Sequence, residues 1–393
     1  MLRKIMGYLG GNSLSQIILL LSIPLLVSVY SVESFGLFGV FSAYLAILSQ
    51  INGLKFENAI LANKKTRGLY YFISSFFIAS FISVFFFLLF LIFFDWFYTF
   101  LLVLSAFFAY LINIYQLYLV RIERATIAGY LSIVRSVLLI SFQVIFSNYN
   151  EANVNGLILG CFFSVFILGS PILIWCLWLI ARVKVIFIIK EIRSNVEFVY
   201  YILPQTLINN VSVQAPIFFI ESIWGIHSAG IYTMALKIVQ VPSRFMTTVL
   251  RNLLTSEFSN ISCEIENCYS KARKYTLLLL FSAFSAFSLL ALLIPHLVDY
   301  FLGDNWGDVV LISRCMLIWY AISFVNIPAF CLVMVYRKLR FLLNFEMIGF
   351  FWRLILFSFF YFITVEFYLG MLMLSISIGL LNVYFIIAVL KNR

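Results

Sequence analysis

Charge is what this chain has least of. Only 11% of its 393 residues are Asp, Glu, Lys or Arg, 64% are hydrophobic, and the mean hydropathy is +1.07. That composition lies far outside the range of soluble globular domains. Long polar segments are missing as well. The widest gaps between apolar runs are 182–199 and 252–274, and neither is large enough to fold as a domain of its own. An enzyme acting on a soluble nucleotide sugar would need such a domain or a substantial loop. Histidine is reduced to two residues, His227 and His296, which read as interfacial. The six cysteines (Cys161, Cys176, Cys263, Cys268, Cys315, Cys331) show no metal-ligand spacing, so no metal, cofactor or disulfide is expected. No nucleophile–base pair or acidic metal cluster is visible, and the expectation is a protein that is not an enzyme.

What is present is a rhythm of apolar stretches. Twelve of them, at 12–31, 36–62, 69–94, 97–120, 126–147, 155–181, 200–223, 229–251, 275–301, 309–336, 342–365 and 368–390, each reach the roughly 20 residues that a helix needs to cross a bilayer. The short gaps between them alternate. Arg3/Lys4, Lys64/Lys65/Arg67, Arg121/Arg124, Arg182/Lys184/Lys190/Arg193, Lys271/Arg273/Lys274, Arg337/Lys338/Arg340 and Lys391/Arg393 mark one side. The intervening gaps hold only acids or neutral polar residues: Glu33, Asp95, Glu151, the turn Trp224–His227, Asp304/Asp308 and Glu366. Short basic loops stay in the cytoplasm, so both termini are expected there. The first segment runs into the second without a small-residue cleavage site and reads as a retained signal anchor. The formal net charge of +10 then reflects membrane anchoring at helix ends, and nucleic acid is not an expected partner.

The halves resemble one another. Glu33-Ser34-Phe35-Gly36-Leu37-Phe38 is echoed 194 positions later by His227-Ser228-Ala229-Gly230-Ile231-Tyr232. Each follows a helix with a mid-span proline, Pro24 or Pro216, and a polar start, Asn12–Gln16 or Gln205–Gln214. The basic loops Arg121–Arg124 and Arg337–Arg340 correspond, each followed by a helix with one central arginine, Arg135 or Arg353. The expected organisation is a six-helix bundle over 1–181, a cytoplasmic linker over 182–199 and a second six-helix bundle over 200–393. Repeats of this kind place a transport path at their interface.

Five cations fall well inside helices: Arg135, Lys237, Arg244, Arg314 and Arg353. Each costs about 2.5–3.5 kcal/mol at a helix centre, a cost sustained by a partner, a watery cavity or a substrate. Lys237, Gln240, Arg244, Thr248 and Arg251 recur at helical spacing and make a polar stripe. Snorkelling or structural pairing is the plainer reading, and it weighs most for Arg314 near a helix end. It weighs least for Lys237 and Arg244, because two cations in line repel unless an anion serves both. The acids within helices (Glu57, Glu221, Asp299, Glu346) all lie toward helix ends, so the cations point to an anionic ligand. Lys55 and Glu57 are a candidate pair for ion coupling, with a simple interfacial ion pair as the alternative.

Ser34–Phe38 after a proline-bearing helix, and Leu203-Pro204-Gln205 through Gly230-Ile231-Tyr232 to Val241-Pro242, resemble the signatures of polysaccharide biosynthesis proteins. These are the O-antigen flippases of the multidrug/oligosaccharidyl-lipid/polysaccharide exporter (MOP) superfamily. The resemblance implies a MATE-like all-α membrane fold, a V-shaped pair of six-helix bundles around a cationic lumen. It implies passage of undecaprenyl-diphosphate-linked oligosaccharide from the cytoplasmic to the outer leaflet of the bacterial inner membrane. Membrane lipids, and a polymerase and chain-length regulator of the same pathway, are the partners it brings. Arginine grips phosphate oxygens in pairs and lysine acts as a point charge, so Arg135, Lys237, Arg244, Arg353 and Arg314 are the expected diphosphate contacts. Gln240, Asn52 and Asn209 are the expected polar contacts. A multidrug exporter of the same fold would favour cavity acids for its cationic cargo. A lipid II flippase would have fourteen helices. An O-antigen polymerase or other membrane glycosyltransferase would carry a large outer loop, and here the longest is the few residues around Gly303–Asp308.

Overall fold

Within a bilayer every backbone N–H and C=O must find its partner inside the protein, and a helix satisfies that within one segment. In the computed structural model the described residues are 2–57, 60, 68–149, 154–180, 199–200, 203–260, 265–336, 338–363 and 365–391. Among them the chain is built of α-helices, with one short 3₁₀ turn at Asp304–Trp306 and no strand. In order these are α1 (Leu2–Leu21), α2 (Ile23–Val27), α3 (Val32–Ile51), α4 (Gly68–Phe90), α5 (Trp96–Arg121), α6 (Ala125–Ile145) and α7 (Gly156–Ile180). They continue with α8 (Leu203–Asn260), α9 (Ile265–Phe301), α10 (Gly307–Val325), α11 (Ile327–Val335), α12 (Leu339–Ile363) and α13 (Phe367–Lys391).

Ten stretches among the described residues are long and apolar enough to cross a membrane. Their surfaces agree: Phe81, Phe284 and Phe362 are 76%, 76% and 80% exposed. Water would penalise such faces heavily, whereas lipid accepts them. The chain is a multi-pass membrane protein. Proline and glycine shape the interruptions. Pro24 opens α2 just after the break from α1, and Pro328 does the same for α11 after Asn326. The expected spans 200–223 and 229–251 lie in the single element α8, interrupted at Gly225 by φ 84° and ψ 175°, a conformation that glycine tolerates and residues with a Cβ do not.

Several boundaries depart from the sequence expectation: the first helix, expected from 12, begins at Leu2, and the helix expected to end at 251 runs to Asn260. The second apolar stretch was expected to stay helical to residue 62, but α3 ends at Ile51 and Leu54 and Lys55 turn left-handed, at φ 47° and 60°. The ninth was expected from 275, but α9 begins at Ile265, because its basic first turns carry helix-forming residues that apolar periodicity overlooks.

The chain divides into two compact units, Met1–Ala215 and Pro216–Arg393. In the N-terminal unit, Phe56, Phe72, Tyr110, Ile114, Val165 and Cys176 belong to a core built from α4, α5, α7 and the turn after α3. In the C-terminal unit, Phe258, Ala272, Cys331, Leu332 and Phe385 centre a core from α8, α9, α11 and α13.

Candidate functional site

In the N-terminal unit one arginine lies well inside an apolar helix. Arg135 lies midway along α6, half-buried, between Ser132 and the buried Ser136. Its charged head has Cys161 of α7 as electrostatic neighbour, and among the described residues no carboxylate pairs with it.

The packing around it is polar and close. Gly11 of α1 meets Gly129 of α6 so tightly that a Cβ on Gly11 would stand 2.5 Å from the Gly129 Cα. Small residues permit such backbone approach between membrane helices. One position on, the Ser132 hydroxyl donates to Asn12 Oδ1 at 2.6 Å, while Gln116 Nε2 donates to Ser132 Oγ at 3.0 Å and to the Ala128 carbonyl at 3.2 Å. Three helices are thus tied together one turn from Arg135. Gln116 was not singled out in the sequence, although an amide within an apolar span is the signal that finds such a residue.

In the C-terminal unit, Arg353 on α12 has Tyr232 of α8 and Glu346 of its own helix as electrostatic neighbours, and Tyr320 of α10 adjoins Tyr232. Lys237 and Gln240 are half-buried on α8. The side chains of Arg244 and Thr248 fall outside the described residues, so the middle of the predicted stripe does too. At its end Arg251 is exposed, with its guanidinium 4.2 Å from the centre of the Phe330 ring. Arg314 is exposed and donates from Nε to the Ala291 carbonyl at 3.3 Å, linking α10 to α9. Asn209 is exposed in the first part of α8. Asn52 is 1% exposed and caps the end of α3, and Lys55 and Glu57 follow it in a turn whose Glu57 accepts from Tyr110 of α5.

The two motifs quoted for the family resemblance serve the fold directly. Ser31 caps α3 by accepting from the Ser34 N–H at 3.3 Å, and Phe35 is fully buried. Asn155 donates to the Ser34 carbonyl at 2.8 Å while its Oδ1 accepts from Ile158 N–H at 3.2 Å, so one amide joins the starts of α3 and α7. At the corresponding place in the second half, Trp224 Nε1 donates to the Val365 carbonyl at 2.7 Å and its ring packs on Phe360 and Phe367.

Comparison with known proteins bears on this architecture. The family of polysaccharide biosynthesis proteins matches residues 25–311. The chain belongs to that family. None of the curated proteins matches the sequence. Among solved structures, an inward-facing multidrug resistance MATE family transporter of the MOP superfamily is similar at TM-score 0.69 and 15% identity, over 96% of each chain. A MATE protein in complex with MaL6 is similar at TM-score 0.64 and 16% identity, over 98% of this chain and 93% of that one. A MOP superfamily transporter from Pyrococcus furiosus, described as having a binding pocket of reverse polarity, is similar at 0.60 and 15%, over 98% and 96%. At these identities the likeness establishes the MATE fold. The solved structures that share this fold are described as membrane transporters.

Proposed function

We propose that this polysaccharide-biosynthesis protein is a flippase, moving an oligosaccharide carried on undecaprenyl diphosphate from the cytoplasmic to the outer leaflet of the bacterial cytoplasmic membrane. The observation that carries this reading is Arg135: a cation midway along an apolar helix, with no described carboxylate to pair with it. A charge in that position is sustained by water or by an anion that visits it. A diphosphate meets the demand, and guanidinium binds its oxygens in pairs. Within the N-terminal unit the hydroxyls of Ser132 and Ser136 are assigned to the sugar; within the C-terminal unit Lys237, Arg244 and Arg353 are assigned to anion binding and Gln240 to the sugar. The cationic surface faces first one side of the membrane and then the other. An inside-negative potential favours outward movement of the anion by about 2.3 kcal/mol per charge per 100 mV.

The experiment is the fate of lipid-linked oligosaccharide in cells lacking the chain. Complete repeat units accumulating on the cytoplasmic leaflet, with surface polymer lost, are the expected result. Single units reaching the surface without extension would make the protein a polymerase and overturn the proposal.

A further inference from the structure

The turn that ends α3 uses buried charge in a way the flippase reading does not require. Glu57 is 4% exposed and lies beyond the span Val32–Ile51. Its Oε1 is 3.7 Å from Lys55 Nζ, and its Oε2 accepts from the Tyr110 hydroxyl of α5 at 3.2 Å. Lys55 also donates to Gln50. The carboxylate is served by the Tyr110 hydroxyl, by its own backbone N–H and by the Lys55 ammonium, all within a turn from which water is nearly excluded. The backbone that delivers these groups is strained, since Leu54 and Lys55 both hold positive φ without being glycine. Gly53 lies directly against the Tyr110 hydroxyl, where any Cβ would collide with it. Asn52 is fully buried, and its Nδ2 donates to nothing among the described residues.

Among the described residues the remaining neighbours bring no second counter-charge. From α4, Ser75 lies within hydrogen-bonding reach of Tyr110, and the ring of Tyr71 meets Phe56 with centroids 6.3 Å apart. Arg121, at the end of α5, donates to the Ile60 carbonyl. A strained turn is therefore closed over one acid, one ammonium and an unsatisfied amide.

We propose that Glu57 is a proton-binding site that latches this turn. The acid holds a proton while the turn is closed against α5, and it loses that proton to water when the turn opens. On opening, carboxylate and ammonium are hydrated and Leu54 and Lys55 are free to leave the left-handed region. The direction of the switch follows from burial, which outweighs Lys55, the Glu57 backbone N–H and Tyr110 and holds the Glu57 carboxyl above the usual carboxylate range. A group that binds its proton more tightly when closed is closed by acid, and rising pH opens it. The proposal stands on this turn alone and is independent of the cargo.

Hydrogen exchange of peptides covering 52–57, read by mass spectrometry on the full chain in lipid nanodiscs from pH 5 to 8, tests it. After correction for intrinsic rates, wild-type protection is expected to fall about tenfold or more as pH rises, the size of a one-unit shift. Glu57→Gln, which mimics the protonated acid, keeps its protection flat across the range. Lys55→Met removes the charge that favours the carboxylate and moves the midpoint to higher pH. A flat wild-type profile, or a Glu57→Gln profile that follows the pH-dependent wild type, overturns the latch and leaves the flippase reading untouched. Normal surface export in cells lacking the chain would overturn the flippase reading and leave the latch untouched.

Discussion

The N-terminal unit fastens α1, α5 and α6 with a glycine contact and the side chains of Asn12, Gln116 and Ser132, whereas the C-terminal unit fastens α8 to the α12–α13 connection with the indole of Trp224. The charges differ in parallel. Among the described residues Arg135 has no acid as a partner in the first unit, and Arg353 has Glu346 two turns away in the second. Sequence similarity between halves therefore did not preserve the chemistry. One arginine is placed among hydroxyls and amides, the other beside a carboxylate and a phenol. A cation that already has a carboxylate neighbour contributes less to holding an anion, because that neighbour competes with the ligand.

The contrast breaks most sharply at the arginines. Arg135→Ala is expected to cut surface polysaccharide about tenfold to a hundredfold, the equivalent of a hydrogen bond to a charged group, with the protein still in the membrane. Arg353→Ala should cost less. Immunoblots of membranes beside quantified surface glycan measure both, and equal losses would erase the distinction between the units. Next in size is the helix contact. Gly11→Ala is expected to destabilise the N-terminal unit by about 1–3 kcal/mol through overpacking. Gly349→Ala, which meets nothing within 4 Å, should be neutral or gain up to about 1 kcal/mol of helix propensity. Thermal unfolding of the two variants in detergent compares them. Smallest are the single hydrogen bonds. Asn12→Ala and Trp224→Phe should each cost about 1 kcal/mol, and only Asn12→Ala should alter export, because it loosens the helix that carries Arg135. Equal effects on export would mean that the polar network and the indole are interchangeable fasteners.

Much of the fold was legible beforehand. Apolar stretches of span length survive as helices because lipid leaves the backbone no other way to satisfy itself, and Pro24 and Gly225 mark real interruptions. The end of α3 was not legible. Asn52, Gly53, Lys55 and Glu57 interrupt the apolar run, but the buried turn they make depends on the close fit of Gly53 to Tyr110 and on the Glu57–Tyr110 hydrogen bond, contacts with a residue more than 50 positions away. The candidate site divides the same way. A lone arginine in an apolar stretch can be seen in the sequence, whereas its surroundings cannot.

By itself the sequence determined that this chain lies in a membrane as helices and carries cations where lipid penalises them, because hydropathy and charge are local properties. That Glu346 lies two turns from Arg353 on one helix is local too, but only the tertiary structure decided that Tyr232 adjoins Arg353 and that Gln116 joins Ser132. It alone decided that Asn155 joins the starts of α3 and α7 and that Glu57 is sealed under Tyr110. Those outcomes depend on which distant residues packing brings within 3–4 Å of one another, and helical periodicity carries no record of that.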